Sequence, residues 1–327
     1  MPGPTILPFG EAAIARAAAL IADGQVVAVP TETVYGLAAD ARQADAVARI
    51  YAAKGRPSFN PLIVHVPDVD AARALALFDR DADVLAAAFW PGPLTLVLPL
   101  RAEAGLAPAA TAGLPTVAVR VPAGRAMRAL LEATGAPLAA PSANRSGAIS
   151  PTRAEHVAAS LGDAVPLIVD DGACPRGVES TIVMGREVLR PGPITAAEVA
   201  DVLAGATLPL PGESRGPVPT VAAAPRLSPG KRLVQAPGQL DSHYAPSKPL
   251  RLNATAAAPD EWLIGFGPVP GDDTLSATGD LHEAAADLFA ALHRADANDR
   301  PRIAVAPIPE RGVGEAINDR LRRAAHR

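Results

Sequence analysis

The chain has few of the side chains on which several common functions depend. Its 327 residues include a single cysteine, Cys174, six scattered histidines and only 3% aromatic residues. One cysteine excludes an intramolecular disulfide, and the histidines lack the spacing of zinc ligands. The scarcity of aromatics argues against a large stacking platform for nucleic-acid bases. The composition therefore fits a protein of a reducing compartment without a zinc site of its own.

The chain also lacks a strong charge imbalance and a long apolar run. Its formal net charge is −4, which gives no general attraction to nucleic acid or to an anionic membrane. The longest apolar stretches, such as residues 12–21, are interrupted by charge and stay below membrane-spanning length. Residues 1–5 do not show the basic-then-apolar pattern of a signal peptide. We expect a cytoplasmic protein with no membrane contact.

Lysine is the scarcest charged residue, with three against 27 arginines. Lys54 is the only lysine in the first 230 residues, and it lies just after a segment rich in hydroxyls at residues 31–37. Arginine does not replace a compact ammonium that must reach a phosphate oxygen. Lys54 is therefore a candidate phosphate ligand, and chance placement is the alternative.

Short β-branched runs alternate with alanine-rich segments over the first two hundred residues, which predicts an α/β fold. Strands are predicted at 26–29, 62–66, 94–98, 116–121 and 167–169. Helices are predicted at 11–22, 45–53, 68–78, 123–133, 153–161 and 196–203. Several of the strands end in proline, which lacks a backbone donor and ends strand pairing. Loops should follow these strand ends, and loops often carry binding and catalytic residues.

The length suits two domains. We predict a catalytic domain at 1–208, a Pro/Gly-rich linker at 209–248 and a small α/β domain at 249–327. In the small domain, strands at 250–252, 262–266 and 303–305 and helices at 281–292 and 315–325 form a βαβ-like pattern. The linker tail at 239–246 has more specific side chains than a passive spacer needs.

Polar motifs follow several predicted strands, and each has a structural alternative. Residues 31–37 could line a pocket or form an ordinary turn. Gly55 could cap the end of a helix, and cations are common at helix C-termini for structural reasons. The proline-stiffened loop at 54–61 nevertheless favours a binding site. Ser142 and Asn144 could bind a ligand or cap a turn. Walker, dinucleotide and serine-hydrolase motifs are missing, so phosphate recognition would need separated cations and hydroxyls.

The motifs gain meaning from their order along the chain. They are Pro-Thr-Glu-Thr-Val-Tyr-Gly-Leu (30–37), Lys-Gly-Arg-Pro (54–57) with Asn-Pro-Leu (60–62) and His65, Trp-Pro-Gly-Pro-Leu-Thr (90–95), Thr-Val-Ala-Val-Arg-Val-Pro (116–122), Pro-Ser-Ala-Asn-Arg-Ser-Gly (141–147), Glu-Ser-Thr (179–181), Arg-Pro-Gly (190–192) and His-Tyr-Ala-Pro (243–246). In this order they resemble the YrdC-like family in its longer, two-domain form. One departure is Ala173, where relatives often have a second glycine.

The resemblance implies a YrdC-like domain with a twisted mixed sheet and a concave cleft, joined by the linker to a small Rossmann-like C-terminal domain. It implies a nucleotidyltransferase that makes threonylcarbamoyl-adenylate from L-threonine, bicarbonate and ATP, with release of pyrophosphate. Separate transferase proteins would then pass the group to tRNA, and a weak contact of this chain with tRNA stays open. Mg²⁺ would be coordinated by the ATP phosphates, without a protein metal site.

The resemblance also implies roles for individual residues. The catalytic nucleotide tetrad would be Lys54, Arg56, Ser142 and Asn144. Asn60, Thr116, Ser150, Arg190 and Tyr244 would complete ATP binding, with Tyr244 folding over the nucleotide as part of a lid. The L-threonine side would comprise Thr33, His65, Arg120, Ala140 and Ser180, with Arg120 as a carboxylate fork. Glu32 and Glu179, the acids nearest the motifs, receive no role.

Two other functions compete with this one. A non-catalytic module that binds tRNA or double-stranded RNA could use an arginine-lined concavity, but the negative net charge and few aromatics count against it. Carbamoyl transfer in metal-cluster maturation uses a related domain, and it ranks last because the chain has no zinc-finger cysteines.

Overall fold

The structure is a computed structural model that describes residues 3–206 and 243–326. Most of the linker predicted at 209–248, up to residue 242, therefore lies outside the described residues. Within the described ranges, helices long and apolar enough to cross a membrane do not occur.

The described residues form nine α-helices. These are α1 (Glu11–Ala22), α2 (Ala44–Lys54), α3 (Val69–Leu75), α4 (Arg80–Phe89), α5 (Arg125–Thr134), α6 (Ala154–Leu161), α7 (Ala196–Gly205), α8 (Leu281–Ala297) and α9 (Gly314–Ala325). The helix cap predicted at Gly55 is confirmed: its φ of 59° places it in the left-handed region, which suits glycine, and it ends α2. The sequence did not predict α4, whose buried face is formed mainly by small alanines around Leu85.

Fourteen strands occur in the described residues. They are β1 (Thr5–Pro8), β2 (Val27–Pro30), β3 (Tyr35–Asp40), β4 (Ile63–His65), β5 (Leu94–Pro99), β6 (Thr116–Arg120), β7 (Leu138–Ala139), β8 (Leu167–Asp170), β9 (Thr181–Met184), β10 (Glu187–Arg190), β11 (Leu250–Arg251), β12 (Glu261–Gly265), β13 (Asp273–Thr274) and β14 (Arg302–Val305).

The strands form two sheets, one in each domain. The large sheet is mixed and has the order β1-β8-β2-β3-β7-β4-β6-β5-β9-β10. The small sheet has the order β11-β14-β12-β13, and its pairs are parallel. The α/β class, the mixed sheet and the small parallel domain are thereby confirmed.

The two domains share a hydrophobic cluster beside the cleft described below. Val34, Ile149 and Val178 of the large domain pack in one cluster with Tyr244 and Phe289. All five side chains are buried, so the small domain covers apolar surface that belongs to the loops of the large one.

The backbones of the two domains also approach closely at one glycine. A Cβ added at Gly177 would lie 2.2 Å from the carbonyl oxygen of Ala285 in α8. Glycine is required there for the close approach as well as for its positive φ of 67°.

Candidate active site

A cleft with about 540 Å³ of space, part of it open to solvent, lies where the turn after β2 meets the ends of β4, β6 and β7. Its lining consists of Thr31, Thr33, Val34, Gly36, Arg56, Ile63, His65, Arg120, Ala140, Pro141, Ser142, Glu179, Ser180, Arg190, His243 and Tyr244. Nine of the residues assigned from the sequence are in this lining: Thr33, Arg56, His65, Arg120, Ala140, Ser142, Ser180, Arg190 and Tyr244.

The segment after β2 is both a turn and part of the cleft wall. The Thr31 Oγ1 accepts hydrogen bonds from the backbone nitrogens of Thr33 (3.1 Å) and Val34 (3.2 Å). This is the local side-chain bonding that favours a turn. The two interpretations of the motif therefore hold together, because the turn presents Thr33 to the cleft.

Glu32 holds Arg120 at the base of the cleft. The Arg120 Nη2 donates to the Glu32 Oε1 at 2.5 Å, and its Nη1 donates to the Thr33 Oγ1 at 3.1 Å. The other oxygen of Glu32 accepts from the backbone nitrogens of Ala123 and Gly124. Burial would raise the pKa of Glu32, but the charge and hydrogen bond of Arg120 outweigh it and lower the pKa.

His65 is paired in register with Arg120 on neighbouring parallel strands. The imidazole is 2% exposed, and its Nδ1 is buried without a partner in the described part of the chain. Burial, together with the nearby charge of Arg120, lowers the pKa of His65 to about 3. The ring is therefore neutral at neutral pH and can both donate to and accept from a ligand.

Lys54 lies beneath the cleft and supports the loop that follows β7. Its Nζ donates to the backbone carbonyls of Ser142 (2.6 Å) and Asn144 (2.5 Å). Burial and the neighbouring charge of Arg56 lower its pKa well below the ordinary value. Bound phosphates would reverse this shift, because a nearby anion favours the ammonium form.

The loop after α2 fixes Arg56 through main-chain carbonyls. The Arg56 Nε donates to the carbonyl of Asn60 (3.2 Å) and its Nη2 to that of Pro61 (2.9 Å). The side-chain amide of Asn60 is fully buried, and neither its oxygen nor its nitrogen has a partner within the described residues. Asn60 is not in the cleft lining, and its unpaired amide is an exception to the rule that buried polar groups are hydrogen-bonded.

Asn144 braces the segment that carries Ser142. Its Nδ2 donates to the carbonyls of Arg145 (3.0 Å) and Ala148 (2.8 Å). The backbone nitrogen of Ala143 donates to the carbonyl of Tyr35 in β3 at 2.8 Å, which ties the segment to the sheet. Lys54 and Asn144 therefore shape the loop, and Ser142 faces the cleft.

The opposite wall is built around Glu179 and Ser180. The Glu179 Oε1 accepts from the Ser150 Oγ at 2.5 Å, which accounts for the location of Ser150 behind the lining. Arg190 donates to the carbonyl (2.8 Å) and to the hydroxyl (3.1 Å) of Ser180. The Thr95 Oγ1 lies 2.8 Å from the same hydroxyl, so Ser180 is held from two sides.

Tyr244 enters the cleft from the C-terminal side. It is 1% exposed, has a positive φ of 63°, and its ring centroid lies 4.1 Å from that of His243. The next residue, Ala245, donates its backbone nitrogen to the carbonyl of Gly147 at 2.8 Å. The position of Tyr244 is thus set by a bridge to the loop that carries Ser142.

Thr116 has a different location from the other assigned residues. It begins β6, at the opposite end from Arg120, and lines a separate cavity with Asp79 and Met184. The cleft geometry offers this residue no contact with the others of its group.

The sequence interpretation missed the carboxylates and one cation behind the walls. Glu32 and Glu179 had no assigned role, yet each forms an ion pair with an arginine of the site, Arg120 and Arg320 respectively. Arg320 lies on the face of α9 that also buries Ile317 and Leu321. A charged residue within such an apolar stripe is a signal that could have identified it.

The cleft suits a polyanion. Five basic side chains, Lys54, Arg56, Arg120, Arg190 and Arg320, are buried in or behind its walls, against the carboxylates Glu32 and Glu179. Among residues 3–206 and 243–326, His, Cys, Asp and Glu side chains do not gather into a metal-binding group of three. Basic groups held in a polar cleft are suited to stabilising developing negative charge.

Two family models match the chain, one over each domain. A model described as telomere recombination, of the Sua5/YciO/YrdC family, matches residues 19–192. A model described as the threonylcarbamoyl-AMP synthase C-terminal domain matches residues 194–326.

Similar proteins match the chain over nearly its whole length. The threonylcarbamoyl-AMP synthase of Bacillus subtilis is 39% identical and covers 98% of this chain and 94% of its own. That of Pyrococcus abyssi is 38% identical, with coverages of 94% and 93%. The crystal structure of P. abyssi Sua5 complexed with L-threonine superposes with a TM-score of 0.83 at 36% identity, covering 98% of this chain and 97% of that one.

Proposed function

The chain belongs to the Sua5/YrdC family, and from this premise we propose that it synthesises threonylcarbamoyl-AMP from L-threonine, bicarbonate and ATP, releasing pyrophosphate. The observation that carries the proposal is the full-length likeness to a Sua5 structure that holds L-threonine. The product would serve the threonylcarbamoyladenosine modification of tRNA.

The proposed chemistry accounts for the residue types in the cleft. The amine of L-threonine and bicarbonate combine to a carbamate and water. A carbamate oxygen then attacks the α-phosphorus of ATP, a new P–O bond forms, and the bond to pyrophosphate breaks. Negative charge accumulates on the triphosphate, the carbamate and the amino-acid carboxylate at once. Oriented cations and donors are the principal means of stabilising such a transition state.

We assign the L-threonine subsite to the Arg120 side of the cleft. The guanidinium, already oriented by Glu32, is suited to bind the substrate carboxylate. Neutral His65 and the hydroxyls of Thr33 and Ser180 lie in the same lining and supply uncharged hydrogen-bonding groups. Ala140 leaves space beside them.

We assign the ATP subsite to the part of the cleft lined by Arg56, Ser142 and Arg190, which adjoins the L-threonine subsite where Arg190 donates to Ser180. Asn60 supplies a buried amide with unused hydrogen-bonding capacity. Lys54 and Asn144 hold its loop, Ser150 is fixed by Glu179, and Tyr244 covers it.

Mg²⁺ would enter this site with ATP as its phosphate complex. The carboxylates beside the cleft, Glu32 and Glu179, are each committed to an arginine, so the phosphates are the better oxygen ligands. The ion would neutralise phosphate charge, and the residues present fit that arrangement without a dedicated protein metal site.

Downstream partners would be transferase proteins that pass the threonylcarbamoyl group to tRNA. Their contact surface and any direct contact with tRNA belong to this proposal, as does a cytoplasmic location, where ATP and tRNA are available. The RNA-binding alternative is not favoured, because full-length similarity connects the chain with synthases.

Pyrophosphate release from ATP by the purified chain tests the function. We expect pyrophosphate release to require both L-threonine and bicarbonate. L-serine should not fully replace L-threonine in this reaction. Pyrophosphate release independent of L-threonine, or tight salt-sensitive tRNA binding without ATP turnover, would contradict the proposal.

A further inference from the structure

The last helix of the small domain places a buried arginine behind the cleft. Arg320 is 0% exposed and lies on the buried face of α9, beside Ile317 and Leu321. Arginine is rarely buried so completely unless it is paired. It lies more than a hundred residues in sequence after Glu179 and Pro191, the two large-domain residues to which it donates.

The guanidinium of Arg320 reaches two segments of the large domain. Its Nε donates to the Glu179 Oε2 at 2.9 Å, and its Nη1 donates to the carbonyl of Pro191 at 2.8 Å. The same Nη1 is 2.8 Å from the Asp319 Oδ2 on its own helix. Its Cζ lies 5.3 Å from the centroid of the Tyr244 ring, within cation–π distance.

Glu179 connects Arg320 to Ser150, a residue assigned to ATP binding. Its second oxygen accepts from the Ser150 Oγ, and the carbonyl of Ser150 lies 3.2 Å from the Nε2 of His293 in α8. The small domain therefore contacts Ser150 directly through His293 and indirectly through Arg320 and Glu179. The planar guanidinium of Arg320 therefore contacts Glu179 and Tyr244 directly, and Ser150 through Glu179.

We propose that Arg320 is a positioning residue for the reaction, acting from the small domain to fix Glu179, Ser150 and Tyr244 around the nucleotide. This inference rests on the proposed function. It gives the small domain a part in forming the ATP subsite, beyond carrying the segment that contains Tyr244.

Arg320 also neutralises the negative charge of Glu179. Glu179 is buried in the cleft wall, where ATP would place its own negative charge. An unpaired carboxylate there would repel the phosphates, whereas the pair with Arg320 neutralises it. Burial would raise the pKa of Glu179, but the charges of Arg320 and Arg190 outweigh it and lower the pKa.

The threonine side has its own ion pair and should respond separately. Arg120 is oriented by Glu32 and Thr33, whereas Arg320 donates to Glu179, Pro191 and Asp319, so the two arginines share none of these acceptors. Loss of Arg320 should therefore affect ATP more than L-threonine. A purely structural role would lower stability without this selectivity.

The test compares Arg320→Met and Arg320→Lys with Arg251→Met in the full-length chain. Arg251 also pairs with a buried glutamate of the small domain, but that glutamate, Glu261, lies outside the cleft lining, whereas Glu179 belongs to it, so Arg251 is the control. Calorimetry measures the dissociation constant of ATP with Mg²⁺, kinetics measure kcat and both KM values, and thermal unfolding reports folding.

For Arg320→Met we expect kcat/KM for ATP to fall by about 10²-fold, as is typical of misplaced active-site groups, while KM for L-threonine stays close to wild type. Arg320→Lys keeps a charge for Glu179 but loses the fork, so it should show a smaller change of the same selectivity. Arg251→Met should leave both KM values unchanged. Adding Glu179→Gln to Arg320→Met should recover part of the ATP affinity, because the unpaired charge is gone.

Unchanged ATP affinity in folded Arg320→Met, or equal losses for both substrates, would overturn the inference. If Arg320→Met does not fold, Arg320→Lys decides: a selective rise in KM for ATP supports the inference, and wild-type values contradict it. ATP affinity is measured without turnover, so a wild-type chain that makes no threonylcarbamoyl-AMP would refute the proposed function on separate grounds.

Discussion

At the scale of single residues, the basic groups of the cleft are held in place by hydrogen bonds within the protein. Backbone carbonyls hold Lys54 and Arg56, Glu32 holds Arg120, and Arg190 is bonded to Ser180. Preorganised donors need little reorganisation during the reaction, which is the source of their catalytic effect. The cleft is therefore a fixed electrostatic environment.

Replacing Lys54 with alanine should show how much this arrangement contributes. The carbonyls of Ser142 and Asn144 would lose their donor, and a positive charge would be removed. We expect threonylcarbamoyl-AMP formation to slow by about 10²-fold or more, the usual effect of removing one well-placed donor. The steady-state rate of product formation measures it.

Lys248→Ala is the matched control for this substitution. Lys248 also donates to two backbone carbonyls, those of Ala295 and Asn298, but neither acceptor lies in the cleft lining, whereas Ser142, an acceptor of Lys54, does. Its loss should leave the rate unchanged. Near wild-type activity of Lys54→Ala would remove the central role of this lysine.

The buried neutral state of His65 predicts a dependence of stability on pH. Its pKa is lowered from 6.5 to about 3, so below pH 6.5 the unfolded chain takes up a proton that the folded chain does not. The free energy of unfolding should therefore fall as the pH falls from 6.5 towards 3, with a slope from this residue that approaches about 1.4 kcal/mol per pH unit.

Urea unfolding of wild type and His65→Gln between about pH 5 and 7 isolates this contribution from those of other histidines. The stability of His65→Gln should depend less on pH. Parallel pH profiles of the two proteins would contradict the buried neutral state of His65.

The sequence predicted the residues that line the cleft better than the residues that hold them. Thr33, Arg56 and Ser142 belong to short motifs with unusual local composition, so they could be found without a structure. The role of Glu32 depends on Arg120, 88 positions later, and that of Glu179 on Arg320, 141 positions later. Such partners are chosen by tertiary structure, and local patterns contain no information about them.

At the scale of secondary-structure elements, strand register brings together two of the residues that we propose bind L-threonine. The parallel pairing of β4 and β6 makes His65 and Arg120 direct neighbours at one end of the sheet. The same register leaves Thr116 at the other end. Loops after β2 and β7 complete the wall, in agreement with the expectation that function collects where the strands end.

The Arg-Pro-Gly motif after β10 has a structural reason as well as a chemical one. A Cβ added at Gly192 would lie 2.4 Å from the backbone nitrogen of Thr181 and 2.7 Å from the carbonyl oxygen of Glu179. Only glycine allows these two segments to pack so closely.

Gly192→Ala should therefore push the 179–181 segment away from its neighbours. We expect a loss of about 1–3 kcal/mol in the free energy of unfolding, as for other overpacked sites, together with weaker ATP binding. Denaturant unfolding and calorimetry measure the two effects.

Gly205→Ala is the control, because no atom lies within 4 Å of its added Cβ and it sits at the end of α7. Its stability should stay at the wild-type level or rise slightly. Equal stability of the two variants would mean that Gly192 is not closely packed.

Long, locally regular elements could be predicted from the sequence, and elements defined by distant pairing could not. Helices α1 and α2 follow from apolar periodicity and, for α2, from the cap at Gly55. Strand β3 contains Gly36 and two alanines, which have little β propensity. It is a strand because it pairs on one side with the preceding strand β2 and on the other with the distant strand β7.

At the scale of the whole molecule, the small domain completes the site of the large one. Tyr244 and Phe289 pack against apolar residues of the cleft loops, Gly177 contacts the backbone of α8, and Arg320 pairs with Glu179. The described domains therefore form one packed unit around the cleft. Neither domain should behave independently.

The two tryptophans allow this unity to be measured. Trp90 lies in the large domain and Trp262 in the small one, so Trp262→Phe and Trp90→Phe each leave one reporter. In each variant the remaining tryptophan reports the urea unfolding of its own domain. We expect the two urea transitions to coincide after each midpoint is corrected for the stability change caused by the substitution itself, which thermal unfolding measures. Separate transitions, with the small domain unfolding first, would contradict a shared core.

The most direct test of the account is detection of the adenylate itself. Purified chain is incubated with ATP, Mg²⁺, L-threonine and isotopically labelled bicarbonate, and the products are separated and analysed by mass spectrometry. The account predicts threonylcarbamoyl-AMP that contains the labelled carbon, in an amount that matches the pyrophosphate released. Pyrophosphate or AMP without the labelled adenylate, or no reaction at all, would contradict it.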